Sequence, residues 1–266
     1  MEKQMTVRQS KFAFLLWCGI LALSGACTKE KGGVAKEEIN FIPQKGYTYH
    51  YRLTEDGQSH NVTVRNLGVR DSVGLKVHRI AQVIEGMTLY TDMYVKDGYT
   101  VHVNHLPSSF YEVAKAIEDG VIASGGIYHG MDIVGYPSIM KVKNSLAVGS
   151  KVDFPGPHIE MNTRYSTKTL DEEWTLHRSY FTLVFEPENV LKVEQVKVGA
   201  GSFRCIHYAF TAFSEQAHYE NGGMVEQNFF EEKNALWDAP GIGVVKKVST
   251  TEEGETTLEL LKITSN

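Results

Sequence analysis

From residue 47 the chain alternates apolar and polar positions with a period of two: Tyr47-x-Tyr49-x-Tyr51-x-Leu53, then Val62-x-Val64, Leu75-x-Val77 and the spaced pair Tyr90 and Tyr94. Successive side chains on an extended strand point to opposite faces, so this pattern predicts half-buried β-strands. Glu55-Asp56-Gly57, Asn66-Leu67-Gly68, Glu85-Gly86 and Asp97-Gly98 supply turn residues between them, which implies antiparallel hairpins, and residues 99–103 continue the sheet. Ser109-Phe110-Tyr111-Glu112 has capping-box spacing, and Phe110, Val113 and Ile117 then share one helical face. That predicts one amphipathic helix covering a sheet face, ending with Gly120 in the left-handed position. Residues 121–148 specify no firm element; a second short helix around Ile139 to Val142 is admissible, and Tyr136-Pro137 is a break.

Strand signals resume at Gly149 and persist to the end, over 151–154, 159–170, 174–185, 190–198, 203–213, 225–236, 244–250 and 256–263, with Pro155 and Pro157 marking an edge. The fold class that follows is mainly β, an antiparallel curved sheet forming a half-barrel or sandwich with one covering helix. No short fixed repeat is present, which disfavours a propeller or solenoid.

The start of the chain differs in kind. Lys3, Arg8 and Lys11 precede an apolar run from Phe12 to Leu23, and small residues Ser24-Gly25-Ala26 then lead to Cys27. Twelve apolar positions are too few to span a bilayer, which takes about 20 helical residues, so 1–26 reads as a removed export signal. The junction resembles the lipobox of bacterial lipoproteins, in which the cysteine becomes the lipidated first mature residue. Ser24 stands where leucine is typical, with Leu23 one place further away. Ordinary signal cleavage after Ala26 is the competing expectation. Residues 27–40 are polar and form a flexible tether, and 41–266 form a β-rich envelope domain, with 41–148 and 149–266 as conceivable sub-halves.

Charge and cysteine usage narrow the function. The leader carries three basic residues and one acidic, so the formal charge of −5 becomes −7 for residues 27–266, which argues against nucleic acid and against electrostatic adhesion to anionic lipid. With Cys18 in the leader and Cys27 at the anchor, Cys205 stands alone. A disulfide and a cysteine-based zinc site are thereby disfavoured, and a buried, inert thiol is expected.

Two stretches carry a family likeness: Val196-x-Val198-Gly199-Ala200-Gly201-Ser202-Phe203-x-Cys205 and Trp237-x-Ala239-Pro240-Gly241-Ile242-Gly243-Val244-Val245-Lys246. They resemble the TapB-like group of β-rich bacterial envelope proteins, and Gly149-Ser150-Lys151 is a weaker match. The resemblance covers about the last third of the chain and implies a fold, not a reaction. Physically, Pro240 fixes φ at a turn, Gly241 and Gly243 permit positive φ, and Trp237 offers a large ring to the core.

Candidate chemistry is sparse. His102 and His105 lie three apart, so on one strand they face opposite sides. His158-x-Glu160 shares a face without further ligands. Asp171-Glu172-Glu173 reads as an exposed turn, because its carboxylates alternate in direction. Asp71-Ser72-Val73 resembles an O-glycosylation site of exported proteins, and an ordinary turn explains it as well. Phe181, Phe185, Phe203, Phe210, Phe213, Phe229 and Phe230, with the tyrosine row, read first as core and second as the lining of a ligand cleft beneath the Phe110 helix. No nucleophile elbow, phosphate loop, His-Glu-x-x-His or dinucleotide fingerprint occurs.

These residues name no catalytic group, metal or cofactor, and the ligand-binding residues stay unassigned. The expectation is a lipid-anchored, non-enzymatic binding or carrier protein of the Gram-negative envelope, at the outer membrane in preference to the inner, facing periplasm or surface. Its partner would be an apolar small molecule, a glycan or an envelope protein. The alternatives are an assembly component acting through an exposed strand edge and a hydrolase with non-local catalytic residues.

Overall fold

The computed structural model describes residues 39–156, 158–168 and 173–266. The leader, Cys27 and most of the tether lie outside the described residues. In chain order the elements are β1 (Tyr47–Glu55), β2 (Gln58–Ser72), β3 (Leu75–Ile84), β4 (Met87–Lys96), β5 (Tyr99–Asn104), α1 (Ser108–Ala123), β6 (Ile127–Val134), β7 (Ser138–Lys143) and β8 (Val152–Asp153). Then follow β9 (His158–Lys168), β10 (Trp174–Val198), β11 (Gly201–Glu220), β12 (Gly223–Ala239), β13 (Gly243–Thr250) and β14 (Glu255–Ser265). All fourteen strands form one antiparallel sheet in the order β6-β9-β10-β11-β12-β13-β14-β1-β2-β3-β4-β5-β7-β8. The mainly β, antiparallel class is therefore observed, with one helix among the described residues, as a single sheet not closed into a barrel. Strands of 41–148 and of 149–266 share it, through the β1–β14 and β6–β9 ladders.

Short-range turn chemistry sets the register. Five hairpin loops, Asp56-Gly57, Val73-Gly74, Glu85-Gly86, Asp97-Gly98 and Asn221-Gly222, place both central residues at positive φ, 48 to 53° for the first and 72 to 85° for the glycine. That is the type I′ turn, whose twist matches the flanking strands. Asn66-Leu67-Gly68 is not a turn: β2 continues through it, with a register shift between Asn66 and Gly68 where the chain bulges. The bulge absorbs the extra residue, and the reversal is left to Val73-Gly74.

The helix differs in detail from expectation. Its N-cap is Pro107 without a side-chain hydrogen bond, and the Ser109 hydroxyl points to Met87 Sδ at 3.2 Å. It runs past Gly120, and Gly125 takes the left-handed position at φ 80°. Phe110 is its one buried residue, with Val113 and Ile117 half-buried, and it packs mainly on β6. Ile139 to Val142 is not helical but lies in β7, paired with β5. There the alternation Ser138, Met140, Val142 buries every second residue, the period of a strand.

Two apolar clusters hold the sheet. One gathers Tyr49, Tyr51, Val62, Val64, Ile80, Met93, Phe203, Cys205, Val245 and Leu260. The other gathers Phe41, Met140, Val142, Phe154, Ile159, Leu183, Phe185, Tyr208, Phe210 and Leu236. Phe154 stacks on Phe185 at 5.0 Å and meets Phe210 edge-on at 5.1 Å. Tyr49, Tyr51, Phe185, Phe203 and Phe210 are core as read, whereas Phe213, Phe229 and Phe230 are exposed. Trp237 is half-buried, stacked on His207 at 4.3 Å and donating from Nε1 to Glu194 at 2.9 Å. Cys205 is fully buried, and burial pushes its thiol well above the ordinary range.

Asp238 is the charged group deepest in this interior. It is fully buried, its Oδ2 accepts the Tyr208 hydroxyl at 3.0 Å, and its Oδ1 has no partner. Burial pushes its carboxyl up to about 7, against the opposing pull of that hydroxyl.

Two outcomes follow. Val73 is a β-branched residue at φ 49° with 101% exposure, so it packs on nothing and sits where asparagine is favoured. Val73→Asn should raise stability by about 0.5–1 kcal/mol, read as a higher urea midpoint at unchanged slope. For Asp238, folded and unfolded chains both hold the proton below about pH 4; from there to about 7 only the folded chain does. Its contribution to stability is thus lost as pH rises, by about 1.4 kcal/mol per unit inside that window. Thermal melts should show Asp238→Asn gaining on the wild type between pH 5 and pH 8; a difference that does not change with pH would contradict this assignment.

Candidate functional site

The longest strands carry the site. β10 pairs with β11 along nearly its whole length, from His177 opposite Glu220 to Val198 opposite Gly201. On its other side β9 pairs only with Trp174 through Val184. Beyond that, Val190 exchanges backbone hydrogen bonds with residues 149 and 150: Gly149 donates to the Val190 carbonyl at 2.8 Å, and Val190 donates to the Ser150 carbonyl at 2.9 Å. The ladder is irregular between Pro187 and Lys192, where β10 changes neighbours. Proline has no N–H to donate there.

Period two then places His177, Ser179, Phe181, Leu183 and Phe185 in one file on the core-facing side. Leu183 and Phe185 are in the second cluster, and Phe181 packs against it from the side. Opposite them on β11 run Ala212, Ser214, Gln216, His218 and Glu220. The file is apolar over the core and becomes polar towards the β11–β12 turn. On β9 the sequence is the same: Ile159 is buried core, and Thr163, Tyr165 and Thr167 follow.

At the polar end three donor atoms converge. His177 Nδ1 lies 3.3 Å from His218 Nε2 and 3.5 Å from Glu220 Oε1, and His218 Nε2 lies 3.8 Å from the same oxygen. The remaining ring nitrogens are held from behind: Thr167 Oγ1 is 2.7 Å from His177 Nε2, and Ser179 Oγ is 3.1 Å from His218 Nδ1. Tyr165 stacks on His177 at 4.7 Å with 12° between the planes, and the His177 and His218 rings stack at 5.4 Å with 25° between theirs. Both rings are therefore fixed in plane and in rotation. Desolvation lowers the His177 pKa, Glu220 opposes this and His218 adds to it, so the ring is neutral at pH 7 and keeps a lone pair to give. The histidine side chains are 12% and 24% exposed and Glu220 45%, which leaves the carboxylate side of the triangle open to solvent.

The residues singled out in the sequence fall elsewhere. His102 is buried with Nε2 unpaired and its pKa lowered to about 4 by burial, which keeps it neutral. His105 points to the opposite side and meets Asp92 at 3.0 Å. That carboxylate is also bonded twice by Arg79, at 2.8 and 3.0 Å, and once by Arg70 at 3.0 Å. Burial acts to raise the Asp92 pKa, but the hydrogen bonds of Arg79 and His105 hold it below the usual range, as in a structural ion pair. His158 and Glu160 form an exposed pair at 3.2 Å. Asp71-Ser72-Val73 ends β2 and enters its hairpin turn. Asp171 and Glu172 lie outside the described residues, as does Cys27. The convergent triangle was missed because only His218-x-Glu220 is local; His177 joins it through strand register, 41 residues away.

No family model matches the chain, and no curated protein matches it either. Two solved structures are similar to it to different degrees. A candidate lipoprotein from Parabacteroides distasonis ATCC 8503 has a TM-score of 0.52 at 13% identity, covering 86% of this chain and 100% of its own. A candidate exported protein with a YmcC-like fold from Bacteroides fragilis NCTC 9343 has a TM-score of 0.45 at 16% identity, with the same coverage. The first likeness shows a shared fold.

Proposed function

We propose that this chain is an exported protein held in the bacterial envelope by lipid on Cys27, and that it works as a binding module through the core-facing side of the outer parts of β9, β10 and β11. The observation that carries the binding surface is the change of character along one file, from Phe185 and Leu183 over the core to Ser179 and His177 beyond it, matched by Ala212 giving way to Gln216, His218 and Glu220. Strands that served only to cover a core could stop where the core stops. These continue and present ordered polar groups instead, the usual sign of a surface kept for recognition.

The envelope location rests on the sequence. The basic start, short apolar run and small residues before Cys27 have the order of a lipoprotein leader, and the polar residues to position 40 are long enough to hold a domain off the headgroups. The Parabacteroides neighbour is itself described as a lipoprotein candidate, which agrees with that reading. The TapB-like resemblance is consistent as well: Gly241 and Gly243 take φ of 60 and 73° in the β12–β13 turn, so the quoted motif is architectural. On this reading the ligand is a small molecule, glycan or envelope protein brought to a tethered domain.

Growth with an alkyne fatty acid should label the wild-type protein and send it to the membrane fraction. Cys27→Ala should lose the label and leave the membrane; continued labelling of that variant would overturn the lipid attachment.

A further inference from the structure

We propose that His177, His218 and Glu220 form a binding site for one divalent transition-metal ion of the zinc type. The proposal deepens the binding surface described above and does not depend on the anchor at Cys27. The first support is the size of the triangle. Sides of 3.3, 3.5 and 3.8 Å define a circle of about 2 Å radius, which matches zinc–nitrogen and zinc–carboxylate bond lengths of about 2.0–2.2 Å. An ion near the centre would lie about 2 Å from all three atoms, with the two rings, now stacked 25° apart, turning to aim their lone pairs at it.

The second support is the choice of nitrogens. A metal-binding imidazole needs one nitrogen bare towards the ion and the other held by a hydrogen-bonding partner, which fixes the tautomer and the ring plane. Both rings meet that requirement, His177 through Thr167 and His218 through Ser179, and in each case the hydroxyl contacts the nitrogen that faces away from the triangle.

The donor set selects the class of ion. Two imidazoles and one carboxylate suit zinc, copper, nickel or ferrous iron, whereas calcium and magnesium require mostly oxygen. Among the described residues, these are the three histidine, cysteine or acidic groups whose ligand atoms all lie within 4.8 Å of one another. Three protein ligands leave a coordination position on the open, Glu220 side, where water or a donor atom of a bound ligand completes the shell.

The test uses the full-length protein in detergent, stripped with a chelator and titrated with ZnCl2 by calorimetry, with MgCl2 as the comparison ion. One zinc per chain is expected, with magnesium silent at the same concentration. His218→Gln and His177→Gln should weaken zinc binding by at least about 100-fold, and Ser179→Ala or Thr167→Val by about 10–100-fold through loss of ring orientation. His158→Gln, at the exposed His–Glu pair elsewhere, should bind as the wild type does. Cobalt substituted at the site should give the strong visible absorption of a four-coordinate ion, and His218→Gln should abolish it. Thermal melts of the zinc-free variants report whether each still folds. Zinc binding of equal strength in wild type and a folded His218→Gln variant would overturn the proposal, as would the absence of stoichiometric zinc in the wild type. Either result would leave the fatty-acid labelling outcome unaffected.

Discussion

The change of neighbours along β10 is the constraint on which the rest of the structure depends. A strand of 25 residues must have its backbone groups paired on both sides, and no other strand of the sheet is as long. β11 serves one side, while β9 serves the other as far as Val184 and the segment at residues 149 and 150 takes over at Val190. Because that segment leads into β8, the last strand of the sheet order, the exchange ties the far end of the sheet back to its third strand. The sheet must curl for this to happen, and the curl brings Met140, Val142 and Phe154 over Phe185 and Phe210 to make the second core. The irregularity between Pro187 and Lys192 therefore separates the part of β10 that pairs with β9 from the part that runs on to Val198 in the first core.

Much of the scaffold was legible in the sequence because its signals are local. The tyrosine row of β1, the Asp56-Gly57, Glu85-Gly86 and Asp97-Gly98 turns and the Trp237 to Lys246 motif each need only a few consecutive residues to be understood. The misreadings arose where two local signals competed. Asn66-Leu67-Gly68 has turn composition, but β2 pairs with β3 on both sides of it and the ladder wins, leaving a bulge. Ile139 to Val142 is too short to distinguish a helix turn from a strand by composition, and pairing to β5 decides it. Ser109 could have capped the helix, but the cap position falls two residues earlier, at Pro107.

The site was illegible for a different reason. His177 and His218 are ordinary strand histidines when taken singly, and neither lies within a recognisable spacing of the other. Their meeting is a product of register: a slip of one residue between β10 and β11 would send one ring to the opposite face and dissolve the triangle. Register at that end is secured by Asn221, whose N–H donates to the Leu176 carbonyl of β10 and whose Oδ1 accepts from the Leu176 N–H, and by apolar pairs lower on the β10–β11 hairpin such as Phe185 opposite Ala212. The site geometry is thus inherited from the core that it leaves behind.

The pairing of β1 with β14 sets the order of assembly. Tyr47 faces Ser265, and the two strands lie side by side in the interior of the sheet. Most other ladders join strands that follow closely in the chain and can zip from their own turns within a short loop. This one must close a loop of nearly the whole domain, and β14 is synthesised after every other strand described. Until β14 arrives, the chain can form two partial sheets with unpaired edges at β1 and β13, each a template for a stray strand. The completed sheet therefore waits for β14, and a chain without that strand would expose an edge in the middle of the molecule.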